Sequence, residues 1–234
     1  MTTQDQPNDL CATAQPAGVP TGLRLIGAES VAPQAWRNGG GQTRELLAWP
    51  AGADWRVRIS RADIEADGPF SAFPQVERWF TVLQGAGVVL SFGDTLHRLA
   101  PGDAPLRFDG AAAPGCRLLD GATQDLNLML RGGTGVMRPA RAGEGWSEAF
   151  AMRGLYTTVA GLWRAGQQSC AVAAHTLLWA ATGNSGAWTF EAEQPGTVAC
   201  AWWLGFTAED GKSDTVHPGL VTVPLDPTRP ERLG

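Results

Sequence analysis

Arg58 and Ser60 stand two residues apart in Trp55-Arg56-Val57-Arg58-Ile59-Ser60, a run that alternates apolar and polar residues. Alternation with period two predicts a strand. Trp55, Val57 and Ile59 then share one face, and Arg56, Arg58 and Ser60 share the other. Two outcomes are open for the polar face. Either it is solvated, with carboxylates opposite, or it lines an interior where a guanidinium and a hydroxyl meet a small carboxylate. Arginine suits the second outcome because its planar fork donates two parallel hydrogen bonds to one carboxylate.

A second polar stretch lies upstream, in Trp36-Arg37-Asn38-Gly39-Gly40-Gly41-Gln42-Thr43-Arg44-Glu45-Leu46. Asn38 with three glycines fits a nest of backbone N–H groups around an anion, or a tight bend that needs positive φ. It is not a P-loop, because no Lys-Ser/Thr follows and no helical pattern begins. Downstream come the turn-like Asp67-Gly68-Pro69-Phe70-Ser71-Ala72-Phe73-Pro74, then Arg78, then Asp125-Leu126-Asn127.

Other chemistry is poorly supplied. The three histidines, His97, His175 and His217, are far apart, and the four cysteines, Cys11, Cys116, Cys170 and Cys200, form no C-x-x-C pair. A transition-metal site needs several such ligands converging on one ion, so no metal and no cofactor is expected. Widely spaced cysteines read as buried free thiols of a reducing cytoplasm. A Gly-x-Ser-x-Gly elbow is missing, no Cys sits near a His in sequence, and the Glu191 and Glu193 pair fits a solvated strand. A net charge of −5 with no basic run argues against a nucleic-acid partner. The N-terminus lacks a signal-peptide pattern, and the longest apolar run, 199–206, is far short of a bilayer.

The elements that must position these residues are short strands. Thirty Gly and sixteen Pro are scattered through 234 residues of which 44% are hydrophobic, enough to bury a core. Strands are predicted at 23–26, 55–60, 80–83, 88–92, 95–99, 106–108, 117–120 and 126–130, with Gly93-Asp94 closing a hairpin. The theme of strand, Gly turn, strand, Pro-Gly turn, strand recurs at 177–204. Such spacing predicts an all-β sandwich or barrel, built twice. The expected division is a disordered tail over 1–20, a first barrel over 21–131, a boundary near 132–145 and a second barrel-like half over 146–234.

The segment from Leu83 to Leu99 with Pro101-Gly102-Asp103 resembles the cupin pattern, without the His-x-His and Glu of metal-binding cupins. The Trp-x-Asn-Gly-Gly-Gly-x-Thr-x-Glu-Leu block, Arg-Ile-Ser, Asp-Gly-Pro-Phe-Ser-x-Phe-Pro, Arg78 and Asp-Leu-Asn together resemble the HutD family, related to the Ves proteins. The resemblance covers Val31 to Leu130 strongly and the rest weakly. It departs at Pro74-Gln75, where Pro-Gly is usual. It implies a double cupin (bicupin) that binds a histidine-utilisation metabolite, such as urocanate or a formylated intermediate, and moderates pathway expression. It also implies a ligand site in the first half. Arg58 would be the anion anchor, Ser60 and Asn38 the orienting partners, and Phe70 a wall. Thr43, Glu45 and Ser71 would be further contacts, and Arg78 a contact or an ion-pair partner of Asp125 or Glu45. A metal-independent isomerase or hydrolase acting on a small acid is the alternative. A third outcome is a scaffold whose second barrel forms a homodimer surface, where Trp202-Trp203 would suit burial.

Overall fold

The computed structural model describes residues 19–180, 186–194 and 199–209. They form β1 Leu23–Gly27, β2 Gln34–Ala35, β3 Gly41–Trp49, β4 Val57–Ile64, β5 Gly68–Pro69 and β6 Glu77–Gln84. Then follow β7 Val88–Phe92, β8 Thr95–Leu99, β9 Leu106–Asp109, β10 Gly115–Leu118, β11 Thr123–Leu130 and β12 Gly133–Pro139. The chain continues with β13 Met152–Thr157, β14 Gly161–Ala165, β15 Gln168–Val172, β16 Thr176–Ala180, β17 Trp188–Ala192 and β18 Ala201–Ala208. Helix among the described residues is limited to two 3-10 turns, Ala28–Ser30 and Gly110–Ala112. The expected tail lies almost wholly outside the described residues, as do Cys11, His217 and the second-half turns at Asn184-Ser185 and Pro195-Gly196.

Four antiparallel sheets result, ordered β5-β10-β7-β8, β2-β3-β4-β11-β6-β9, β1-β16-β13-β18-β12 and β15-β14-β17. Three apolar clusters glue them in that sequence. Ile64, Phe80, Val82, Val88, Leu90 and Phe108 fill the space between the four- and six-stranded sheets. Val57, Ile59, Leu126, Leu128, Tyr156, Trp202 and Leu204 join the six- to the five-stranded sheet. Trp146, Trp163, Trp188 and Trp203 lie between the five- and three-stranded sheets. The two large sheets are therefore buried on both faces, which is why polar residues that alternate along β4 and β11, Ser60, Asp125 and Asn127 among them, are buried as well.

The hairpin at Gly93-Asp94 forms as expected, with Leu90 opposite His97 and Gly93 at φ +59°. Two features depart from the sequence reading. Leu23–Gly27, placed there at the head of the first barrel, pairs along its whole length with β16 of the second half. Alternation reveals that a strand exists; the fully buried Leu23, packed in the tryptophan cluster, decides which sheet it joins. The strands β3 and β12 to β15 also lie outside the strands that alternation predicts; in β3 and β12 to β14 glycines and charges interrupt the pattern. Gly154 in β13 illustrates the cause: a Cβ there would come within 2.5 Å of the Trp179 ring, so glycine is required inside the strand.

Candidate functional site

The centre of the six-stranded sheet brings three strands together in register. Arg58 of β4 stands opposite Met129 of β11, which stands opposite Arg78 of β6. The next rung is Ser60, Asn127 and Phe80, and the one beyond it is Ala62, Asp125 and Val82. Strand pleating turns all of these side chains to one face, while Val57 and Ile59 turn to the other and pack against the second half. On the polar-bearing face lies a cavity of about 470 Å³. Its lining includes Asn38, Thr43, Arg58, Ser60, Phe70, Ser71 and Arg78. Seven of the eight residues singled out in the sequence thus meet in one place. The eighth, Glu45, binds at its edge: its carboxylate accepts from Arg58 Nε at 2.6 Å.

Local structure explains how each arrives. A bulge between Glu45 and Leu47 sets Glu45 opposite Ser60, and lets both Leu46 and Leu47 enter the core between the large sheets. The Asn38 bend is a turn: its Oδ1 accepts from the Gly40 N–H at 3.0 Å, and Gly39 takes φ +70°. Gly41 answers a different need, since a Cβ there would fall 2.2 Å from the Asp63 carbonyl oxygen. Thr43 Oγ1 accepts from Trp36 Nε1 at 2.8 Å, fixing the indole as a cavity wall.

Arg56 does not share the cavity, although strand alternation grouped it with Arg58. It lies just before β4 and donates to the carbonyls of Gly132 and Glu209, tying the first half to the second. Arg78 makes no direct ion pair with Asp125 or Glu45. Its Nη2 donates to Asn127 Oδ1 at 2.7 Å, and Asn127 Nδ2 in turn donates to Asp125 Oδ1. The Arg78 guanidinium stacks against Phe70 and Phe108, each 5.1 Å away, with Phe73 beyond. Burial is the chief cause that lowers its pKa to about 10; Asp125 opposes the shift and Arg58 adds to it. Arg78 remains a cation at neutral pH.

Asp125 and Asn127 are the residues that sequence reasoning left out of the site. Their signal was present: two polar residues two apart in an apolar run share one strand face. Both are buried, and burial pushes the Asp125 carboxyl well above the usual carboxylate range, against the pull of Arg78. Gln34, Trp36, Arg37, Phe73 and Met129 are further wall residues. Among the described residues no three His, Cys, Asp or Glu side chains cluster as metal ligands would. Cys116, on the neighbouring sheet, has its thiol pushed up to about 12 by burial and by Asp125. No described helix is long and apolar enough to cross a membrane.

The HutD family model matches residues 28–200, three quarters of the chain and all of the cavity-forming strands. The chain belongs to the HutD family. A curated relative, an uncharacterised 21.2 kDa protein in the hutC 3′ region of Pseudomonas putida, is 40% identical over 112 residues. That alignment covers 46% of this chain and 57% of the relative. Protein Ves of Cronobacter sakazakii is 37% identical over 97 residues, 41% of this chain and 54% of the relative. This chain thus spans little more than half the length of these two. The solved structure of HutD from Pseudomonas fluorescens SBW25 superposes with a TM-score of 0.67 at 24% identity, over 80% of this chain and all of that one. At that identity the likeness speaks to the fold alone, which is mostly β.

Proposed function

We propose that this HutD-family chain is a metal-free bicupin of the cytoplasm that binds a small organic acid in the first-half cavity. The observation that carries the reading is the cavity face itself. Two guanidiniums, Arg58 and Arg78, bracket Met129 on one rung, with Ser60 and Asn127 beside them and Trp36, Phe70 and Phe73 as walls. Apolar walls with a few fixed polar groups are what a small ligand requires, and 470 Å³ suits one of metabolite size. A cavity lined by two guanidiniums suits a carboxylate, because charge-assisted hydrogen bonds to the planar fork are among the stronger ones available.

The ligand is a histidine-utilisation acid, such as urocanate or a formylated intermediate, and its binding serves regulation of that pathway. The Pseudomonas putida relative supports the pathway, since its name places that protein in the hutC 3′ region. The state of the nearest thiol favours binding over covalent catalysis. Burial keeps Cys116 protonated, and a thiol is a poor nucleophile in that form. Calorimetric titration of urocanate and related acids into the wild type and Arg58→Ala tests the reading. Binding by the wild type and a clear loss in the folded variant are expected. Equal affinities would remove Arg58 from the site, and turnover of any acid would favour the enzyme alternative.

A further inference from the structure

Asp125 is a carboxyl with 1% exposure on the cavity wall, and no described cation lies in ion-pair contact with it. From its own strand, Asn127 Nδ2 donates to Oδ1; among the described residues no other side chain hydrogen-bonds this carboxyl. From β4 it faces Ala62, with Ser60 one rung on and Arg58 two rungs on. The Asp63 carboxylate of the same strand acts on it unfavourably. From β6 it faces Val82; the Arg78 cation hydrogen-bonds Asn127 rather than Asp125, and its through-space pull on the carboxyl is outweighed by burial. From β10 the neutral Cys116 thiol is its neighbour. A carboxylate removed from water, with no cation in direct contact, is better carried as the neutral acid.

The Asn127 amide fixes where the proton points. Its oxygen is taken by Arg78, so its nitrogen faces Asp125 and Oδ1 is the acceptor. The acid proton then sits on Oδ2, where no described side chain receives it. We propose that Asp125 is the specificity-determining group of the cavity: as a neutral acid it donates its Oδ2–H to an uncharged acceptor at the far end of a ligand whose carboxylate Arg58 holds. This rests on the reading of the cavity as an organic-acid site and names its ligand class. That class is carboxylic acids with a carbonyl oxygen or an unprotonated ring nitrogen distal to the carboxylate; simple alkyl and aryl acids are disfavoured. Asp125 lies four residues along β11 from Met129, the partner of Arg58, about 13 Å of strand, and the long Arg58 side chain spans part of it.

Urocanate and trans-cinnamate test this, since both join a planar ring to an acrylate and only urocanate carries a ring nitrogen. Calorimetric titrations are made at a pH slightly above neutrality, where the imidazole is uncharged. The wild type is expected to prefer urocanate by about tenfold, the size of one neutral hydrogen bond. Asp125→Leu should bind the two acids alike. Asp125→Asn, which keeps an N–H donor at the same place, should recover most of the preference. Equal binding of the two acids by the wild type would overturn the inference and leave the organic-acid reading standing. So would a preference retained in Asp125→Leu. Binding of neither acid would overturn both. Should Asp125→Leu fail to fold, infrared difference spectra of the wild type against Asp125→Asn decide. The carbonyl stretch of a protonated carboxyl supports the assignment, and an ionised-carboxylate band in its place refutes it.

Discussion

Each half of the molecule buries one arginine against aromatic rings, and the two arginines end differently. Arg153 in the second half lies 4.5 Å from both the Trp146 and Trp188 rings and donates to the carbonyls of Trp146 and Gly186. Around it Trp146 stacks on Trp203 at 5.4 Å, and Trp163 meets Trp188 edge-on at 5.1 Å. Indoles occupy the space between those sheets. Arg78 in the first half lies against smaller phenylalanine rings and spends its hydrogen bond on Asn127, beside a cavity. The same sheet-on-sheet arrangement is thus filled in one half and left open and polar in the other. Ring size and the polarity of the facing strand decide whether such a space is packed or left open.

The comparison breaks or sharpens under substitution. The largest effect is expected for Trp188→Ala, which empties a fully buried site in contact with Trp146, Trp163 and Trp203. It should cost roughly 3–5 kcal/mol of stability, read from denaturant unfolding. Affinity for the acid, measured on the folded fraction, should stay near the wild-type value; a parallel loss of binding would mean that the halves act as one site. Arg58→Ala should do the reverse. Losing a charged hydrogen bond costs about 1.5–3 kcal/mol, or roughly ten- to hundred-fold in affinity. Its unfolding midpoint should move little, because the Glu45 carboxylate it releases is partly solvated. Arg58→Lys should also weaken binding, since a point charge does not reproduce the fork.

Asp125 supplies a test by pH. The folded chain holds its proton well above the ordinary aspartate value of 3.8, chiefly through burial. The stabilisation is therefore fully present below 3.8 and is lost as pH rises through the raised folded value. Asp125→Asn removes this dependence, so its stability should fall less than that of the wild type between about pH 5 and about pH 8. Parallel urea midpoints for the two proteins across that range would contradict the buried neutral acid. The smallest effect is expected at Gln75, which takes φ +62° directly after Pro74, on the approach to β6. Glycine adopts that conformation without strain, so Gln75→Gly should raise stability by about 0.5–1 kcal/mol in thermal unfolding. No gain would show that the Gln75 side chain repays its own backbone cost.

The sequence by itself determined the strand at Arg58 and Ser60, the face they share, the hairpin at Gly93 and the all-β class. These follow from period-two alternation and from glycine's freedom at positive φ, which act over a few residues. It also carried the family, through blocks whose combination is specific although each is short. Tertiary structure decided the rest. Alternation says which residues share a face and leaves open what that face meets, so Arg56 was grouped with Arg58 although it binds the backbone of Gly132 and Glu209. It could not pair Glu45 with Arg58, because a bulge resets the register between them. Nor could it route Arg78 through Asn127 to Asp125, three residues brought together by one non-local ladder between β6 and β11. Strand Leu23–Gly27 makes the same point at the scale of a sheet: its own pattern makes it a strand, and the space beside β16 makes it part of the second half.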